Sequence, residues 1–336
     1  MKLKNGILST SALFTAMFSV SASAAFVAIL PSAGAIDQTK TQGYDYISGL
    51  NSGDGSEEIV DKGPCLTKSQ LQIMIRNGDD VTNVNTSCIT DFSYIFQGAD
   101  IEFNQDIGGW DVSNGTNFSE MFAFVPMFNQ DISGWDVSSG TNFSMMFYGL
   151  QDFNQDLSGW DVSNGTDFSM MFSTTAYNYP LNDWNMSKAT TISGMFDNAS
   201  AFNQPLDKWD VSNVNMFLGA FSGASSFNQD ISGWDVSKGT SFFAMFATAS
   251  SFNQDISGWN VANGTDFSHM FSRTTAFNQD ISSWNVSNAT DFSYMFYYAS
   301  GFSKDVSGWN VDNATNFTNF YANSVLTSDQ VPEKFR

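Results

Sequence analysis

The apolar positions of this sequence recur with a fixed period. The phrase FNQDISGWDVSSGTNFSMMF at 128–147 returns as FNQDLSGWDVSNGTDFSMMF at 153–172 and as FNQDISGWNVANGTDFSHMF at 252–271. Consecutive tryptophans lie 25 residues apart, except for one step of 24. A period of roughly 20–50 residues is typical of solenoids and other repeat arrays. The nine tryptophans are Trp110, Trp135, Trp160, Trp184, Trp209, Trp234, Trp259, Trp284 and Trp309.

Within one copy, positions are counted from the tryptophan as position 0. The segment W-D-V-S alternates apolar and polar residues, which favours a short strand with Trp and Val inward. Phe, Met and Phe at +8, +11 and +12, as in Phe143, Met146 and Phe147, have helical spacing and predict one or two helical turns facing the same core. A Thr or Asn at +6 precedes this spacing and is predicted to cap the helix. The +6 residues are Thr116, Thr141, Thr166, Thr190, Asn215, Thr240, Thr265, Thr290 and Thr315.

One copy buries too little surface to offset the entropy of ordering it, which is about 1–2 kcal/mol per residue for the backbone. Stacked copies bury each other's aromatic side chains. We therefore predict an α/β repeat solenoid, a leucine-rich-repeat-like stack of short strands and short helices with about ten layers. The Asn that follows the Phe or Tyr at −7 is expected to satisfy turn amides and to align into an asparagine ladder.

The two ends depart from the repeat. Residues 84–96 keep the pattern but have Val84 where Trp belongs, which indicates a tenth layer. Thr67-Lys-Ser-Gln70 is a capping box that predicts a helix through about Arg76. The apolar residues expected to cover the first layer are Leu71, Ile73, Met74 and Ile75. We assign 63–83 to an N-terminal capping region, 84–321 to the ten repeats and 322–336 to a C-terminal cap.

The first 35 residues have the features of an export signal. Lys2 and Lys4 precede an uncharged stretch at 7–30, and Ala33-Gly34-Ala35 is the expected cleavage point. A permanent membrane anchor is the alternative interpretation of this stretch. Residues 36–62 are rich in Gly, Ser and acids, which is typical of a flexible leader. We expect a secreted or cell-surface protein whose mature chain does not insert into a membrane.

Charge excludes one class of partner. The chain has 13 Lys and Arg against 34 Asp and Glu, a formal charge of −21. Loss of Lys2 and Lys4 with the signal would move it to −23. Nucleic acids and anionic lipids bind through Lys and Arg, so we do not expect either as a ligand. Cys65 and Cys88 are the two cysteines, and in an oxidising compartment they predict one disulfide, worth about 3 kcal/mol.

The copies resemble the BspA-type leucine-rich-repeat surface proteins, in the branch with the form FNQDISxWDVSxVTxMxxMFxxA. The resemblance covers roughly 84–321 and is specific in the phrase FNQDISGWDVS. It implies a leucine-rich-repeat-like solenoid on an exported surface protein, and adhesion to host or neighbouring-cell proteins. It supplies no catalytic residues.

This chain departs from that form at two positions. The family's Val at +5 is mostly Gly here, and its Met at +8 is mostly Phe. Because the side chain at +5 is smaller and the one at +8 is larger, we predict that their volumes compensate each other in the core.

The sequence does not predict an enzyme. The single histidine, His269, lies at +10, where other copies have residues of every kind, so we expect an exposed and unconstrained position there. No Ser or Cys is accompanied by a repeated histidine, and no phosphate-binding loop follows a long strand.

The acids at +1 are the main candidates for binding. We predict a binding face from the outward residues at +1 and +3, with Ca²⁺ as a further hypothesis for the +1 acids, because carboxylates suit hard cations. The alternative is that the acids at −4 bond local turn amides and those at +1 form a solvated strand face. The face residues are Asp111, Asp136, Ser138, Asp161, Asp210 and Asp235, and the calcium hypothesis involves the five aspartates.

Together these features predict a protein that adheres to extracellular or cell-surface proteins or glycans through a rigid solenoid face. Self-association into a surface layer or filament is the second hypothesis, because an uncapped solenoid end is a template for another chain. An ice-binding Thr row at +6 is a third. No cofactor other than Ca²⁺ is expected.

Overall fold

The structure, a computed structural model, describes residues 62–336. Helix α1, Lys68–Asn77, is the only α-helix in that range, and the 3-10 helices Ser328–Gln330 and Glu333–Phe335 lie near the C-terminus. Nine isolated parallel bridges join the +7 residues of consecutive copies, from Asp91 to Asn316. The predicted signal peptide and nearly all of the predicted leader lie outside the described residues.

The predicted helix at +8 to +12 is wrong, because these residues form turns. From the Trp135 copy to the Trp284 copy, the amides at +8, +10 and +12 donate to the next copy instead of to the preceding helical turn. After Trp135 the donors are Phe143, Met145, Phe147 and Gly149, with N–O distances of 2.7–3.1 Å. The +10 residue also has a left-handed backbone, as at Met145 (φ 55°), which interrupts a right-handed helix.

The predicted strand at W-D-V-S is also wrong. Asp136 Oδ1 accepts the Ser138 amide at 3.0 Å, and Val137 O accepts the Gly140 amide at 2.8 Å. These local bonds form an Asx turn followed by a second turn, so the amides are not available to a neighbouring strand. The side-chain directions were nevertheless predicted correctly, since Trp135 and Val137 are buried and Asp136 is exposed.

Side chains add further bonds between copies. Thr141 donates its amide and its hydroxyl to Thr116 O, at 2.8 and 3.0 Å. The +6 residue is therefore not a helix cap, and its hydroxyl links two layers. The predicted asparagine ladder is confirmed: Asn129 donates its amide to Asn104 Oδ1 at 3.0 Å, and the pattern continues along the stack. The amide that each Asn satisfies belongs to the next copy.

The tryptophans form the centre of one continuous core. All nine are 2–5% exposed and belong to a single hydrophobic cluster. The rings of Trp110 and Trp135 are stacked 6.4 Å apart, with 6° between their planes. Each indole N–H donates to the carbonyl at −3 of the preceding copy, as from Trp135 to Ile107 O at 3.1 Å. The ring thus fills the core without leaving its one polar atom unpaired.

Helix α1 covers the first layer, as predicted. Thr67 and Gln70 form the capping box, and a disulfide joins Cys65 to Cys88. Leu71 is fully buried, but Ile73 is 55% exposed and does not contribute to the cover. The reason is the helical period, which turns a side chain two residues from Leu71 towards the opposite face.

Hydrogen-bond direction makes the two ends of the ladder different. The amides at +8, +10, +12 and +14 donate towards the following copy, so the first copy presents carbonyls and the last presents N–H groups. One face of α1 supplies donors to the first copy. Lys68 contacts Asp91 and Ser93, Gln72 donates to Tyr94 O, and Arg76 donates to Gln97 O, at spacings of four residues along the helix.

The opposite end is partly open. The amides of Phe317, Asn319, Tyr321 and Asn323 have no hydrogen-bond partner within the described chain. The C-terminal segment covers a different part of the last copy, where Lys334 Nζ donates to Asp312 O at 2.8 Å.

The predicted volume compensation at +5 and +8 is visible in the core. A Cβ built on Gly140 would lie 2.4 Å from Phe143 Cζ and 2.9 Å from Val137 O. Four other copies, with Gly115, Gly165, Gly239 and Gly264, show the same conflict. Ala189 is followed by the smaller Ile192, which also fits compensation. Three copies do not follow it, since Val214, Ala289 and Ala314 coexist with Phe217, Phe292 and Phe317.

We expect Gly140→Ala to lower the free energy of unfolding by about 1–3 kcal/mol, because the added methyl group displaces the Phe143 ring. Adding Phe143→Ile reproduces the Ala189–Ile192 pair, so the double variant should lose less than the sum of the two single losses. Denaturant unfolding measures all three variants. Gly134→Ala is the control, since a Cβ there meets nothing within 4 Å. Strictly additive losses would contradict the compensation.

Candidate binding faces

The predicted acidic residues lie along one exposed ridge. Asp111, Asp136, Asp161, Asp210 and Asp235 are all exposed, and Ser138 is half-buried. Each of the five carboxylates accepts the amide of the residue two positions later, at 2.9–3.1 Å. We call this set of five aspartates the acidic ridge. Its side chains are held by the backbone and point in a repeated direction, although they do not lie on a strand.

The hydrogen bonds within these turns stabilise the ionised form. Bonds from the Ser138 side chain and then its amide lower the pKa of Asp136, and Ser163 and Ser237 do the same for Asp161 and Asp235. The neighbouring charge of Asp161 opposes this effect at Asp136. These bonds therefore hold Asp136, Asp161 and Asp235 in the ionised form at neutral pH.

The acids at −4 make the predicted turn contacts. Asp131 Oδ1 accepts the Ser133 amide at 2.9 Å, and this bond lowers the Asp131 pKa. Equivalent bonds occur at Asp230 and Asp255. A third turn of the same kind lies at +7 and +9, as in Asn142 and Ser144. Most copies thus use three short polar side chains to hold the backbone, and the exceptions have Pro180 or Pro205 at −4 or Met216 at +7.

The ridge does not assemble a multidentate cation site in the part of the chain that the structure describes. No group of three or more His, Cys, Asp or Glu side chains there is arranged to hold a metal ion. Calcium binding by the five aspartates stays a prediction.

A second surface was not predicted from the sequence. Side chains at +10, +13 and +14 lie together, as contacts between Tyr94 and Phe124 (6.3 Å) and between Tyr294 and Tyr297 (5.3 Å) show. We call these positions the variable face, because their residues differ from copy to copy. The +10 residues are Tyr94, Glu120, Met145, Met170, Gly194, Gly219, Ala244, His269, Tyr294 and Asn319.

The expectation for His269 is therefore wrong. It is half-buried, with a left-handed backbone at φ 60°, and its ring stacks on Tyr294 with centroids 4.7 Å apart. Burial lowers the pKa of the imidazole, while Asp291 raises it. The variety of residues at +10 was the one feature of the sequence from which the variable face could have been predicted. It indicates a surface whose chemistry changes from layer to layer.

Asp197, at +13, is the most buried acid of this region. It is 4% exposed, and Asn198 Nδ2 donates to its Oδ2 at 2.9 Å, whereas Oδ1 has no hydrogen-bond partner in the described range. Burial raises the pKa of this carboxyl to about 6, against the lowering effect of Ser222, Asn198 and Ser173. The hydrogen bonds to the Asp197 carboxylate therefore offset only part of the cost of burying its negative charge.

Stacked copies joined by the same bonds at each junction define a tandem-repeat protein. The chain matches the family described as "Mycoplasma protein of unknown function, DUF285" in three overlapping stretches, 68–179, 166–266 and 240–334. Because these stretches span most of the chain, the protein belongs to this family. A search of curated proteins found no match. Between residues 62 and 336, no helix has both the length and the apolar character needed to cross a membrane.

We expect Asp197→Asn to stabilise the protein at pH 7.5 by at most about 3 kcal/mol. The folded pKa of about 6 lies above the ordinary value of 3.8, so ionisation costs stability as the pH rises through this interval. The gain should be present above pH 6 and should shrink as the pH falls towards 4. Denaturant unfolding across this range measures it. Asp152→Asn removes the same charge at an exposed site and should give no such pH-dependent gain; a gain at Asp197 that does not vary with pH would contradict the assignment.

Proposed function

We propose that the protein is a secreted or surface-displayed repeat protein that binds extracellular or cell-surface proteins or glycans, in the manner of BspA-like adhesins. In this proposal the copies form a leucine-rich-repeat-like solenoid. One observation supports this proposal most directly. The buried core is nearly the same in every layer, whereas the outward positions either repeat, as in the acidic ridge, or differ from layer to layer, as on the variable face. Such a scaffold presents many side chains in fixed positions, so binding costs little conformational entropy.

Two surfaces qualify for this role. The acidic ridge offers a row of ionised carboxylates, which attract cationic groups of a protein partner. The variable face offers aromatic and charged side chains that differ between layers, and aromatic residues are enriched in binding surfaces. The net charge of −21 disfavours strongly anionic partners for both.

The proposal is tested by capture of extracellular proteins and glycans on the purified full-length secreted form, with and without calcium. We expect Asp111→Asn, Asp136→Asn and Asp161→Asn together to weaken capture of a cationic partner by about tenfold, because attractive charge is lost. The fold should be kept, since Asn185, Asn285 and Asn310 occupy +1 in other copies and accept the same amide bond.

The matched control places the same three Asp→Asn changes at −4, on Asp131, Asp156 and Asp230. Failure of the unmodified protein to capture any surface component would contradict the proposed function. Equal losses from both triple variants would show an effect of net charge, and would count against the acidic ridge as the contact surface. A melting curve that chelator does not alter would remove the calcium hypothesis.

Self-assembly is the second candidate, and the open ladder end favours it. The unpaired amides of Phe317, Asn319, Tyr321 and Asn323 can donate to the carbonyls of another extended chain. In a second protein molecule, the complementary carbonyl edge is covered by that molecule's own α1. We infer that α1 keeps the intact protein monomeric and that filaments form only when α1 is displaced.

We therefore expect Leu71→Asp, which puts a charge under α1, to convert monomers into larger species, whereas Ile73→Asp on the exposed face of α1 should not. Sedimentation velocity measures the assembly state. Adding Tyr321→Pro should reverse assembly, because it removes an N–H group of the open edge. Aggregation of the Leu71→Asp variant that is insensitive to Tyr321→Pro would contradict pairing through this edge.

A further inference from the structure

One group of side chains on the variable face is unlike the rest of the surface. His269 stacks on Tyr294, and the Arg273 guanidinium lies 5.6 Å from the ring centre of Tyr297 and 4.9 Å from that of Tyr298. Tyr297 also contacts Tyr294 and Tyr298 edge to face, at 5.3 and 4.5 Å. We call these five residues the tyrosine–arginine cluster. All are half-buried, except for Tyr298, which is exposed.

Arg273 has uncommitted hydrogen-bond donors. The chain has three arginines, and the side chains of Arg76 and Arg336 donate to backbone carbonyls. Within residues 62–336 the Arg273 side chain has no hydrogen bond and no ion pair, although acids outnumber bases strongly. The two tyrosine rings hold it in place by cation–π contacts. A positioned guanidinium with free donors is suited to a carboxylate from outside the chain.

The backbone at these positions follows the pattern of the repeat. His269, Arg273, Tyr294 and Tyr298 have left-handed backbones, with φ between 53° and 60°. That conformation is unfavourable for residues with a Cβ and free of strain for glycine.

Other copies have the same backbone at these positions. Some place glycine there, as at Gly149 and Gly194, and others place a residue with a Cβ, as at Met145 and Ala244. The left-handed backbone is therefore a property of the repeat, and it brings the +10 and +14 side chains of consecutive layers to one surface.

We propose that the tyrosine–arginine cluster binds a terminal carboxylate-bearing sugar of a surface glycan. The Arg273 guanidinium pairs with the carboxylate, and the exposed ring of Tyr298 stacks on the C–H face of the pyranose ring. The proposal rests on the proposed binding function and specifies one of its ligands. A single terminal acid fits better than a polyanion, because Asp266 and Asp291 lie in the same layers and the net charge is −21.

Saturation-transfer NMR and calorimetry on the full-length secreted form test this with three probes, the methyl glycosides of glucuronic acid, N-acetylneuraminic acid and glucose. We expect at least one acidic glycoside to bind about tenfold or more tightly than the neutral one, because a charge-assisted bond is gained. Arg273→Asn should weaken that binding by about tenfold or more. Asn is compatible with this left-handed position, as Asn198 and Asn323 show. Arg273→Lys should bind with intermediate affinity, since it keeps the charge and loses the planar fork.

Lys304→Asn is the matched control, because it removes one positive charge from the neighbouring layer and should leave binding unchanged. The proposal is overturned if no acidic glycoside binds, if the neutral glycoside binds equally, or if Arg273→Asn has no effect. Tighter binding of a Glu-rich peptide than of either acidic glycoside also overturns it, in favour of a protein ligand. If the unmodified chain still captures surface components while the glycosides fail, this site is wrong and the proposed function stands.

Discussion

The fold depends on backbone groups of one copy being satisfied by the next copy. From the Trp135 copy onward, each junction carries four ladder bonds from amides at +8, +10, +12 and +14. Three other donors point the opposite way: the +6 amide, the amide of the Asn at −6 and the indole N–H all donate to the preceding copy. A single copy contains no helix or strand of its own, so outside the stack these groups would lose their partners. Stability is therefore a property of neighbouring pairs, as expected for repeat proteins.

The sequence was sufficient to predict the period, the inward residues, the capping helix and the asparagine ladder, because each depends on spacing alone. It was not sufficient to distinguish helix from turn at +8 to +12, since both place Phe143, Met146 and Phe147 on one side. The deciding feature is the left-handed backbone at +10 and +14. Gly149 and Gly194 were signals of it, but Met145 and Arg273 at equivalent positions concealed the pattern.

The acidic ridge could be predicted to be exposed, because Asp136 alternates with buried Trp135 and Val137. The variable face could not, since a helix at +8 to +12 would direct the same residues differently. The tyrosine–arginine cluster is also non-local, because Arg273 and Tyr298 lie 25 residues apart in the sequence and meet only when two layers stack. Their proximity could be predicted only from the hydrogen-bond pattern between adjacent layers.

The direction of the ladder bonds explains the chemistry of the ends. Carbonyls accumulate at the first copy, where Arg76 donates to Gln97 O, and N–H groups accumulate at the last. Lys68 donates to the side chains of Asp91 and Ser93 at the same end. An α-helix has the reverse polarity along the chain, with free N–H groups at its N-terminus, and basic side chains likewise favour its carbonyl end. The ladder bonds at +10 and +14 join backbone atoms, so they form with many different side chains at these positions. Surface chemistry can therefore change layer by layer at these positions while the core and the caps stay as they are.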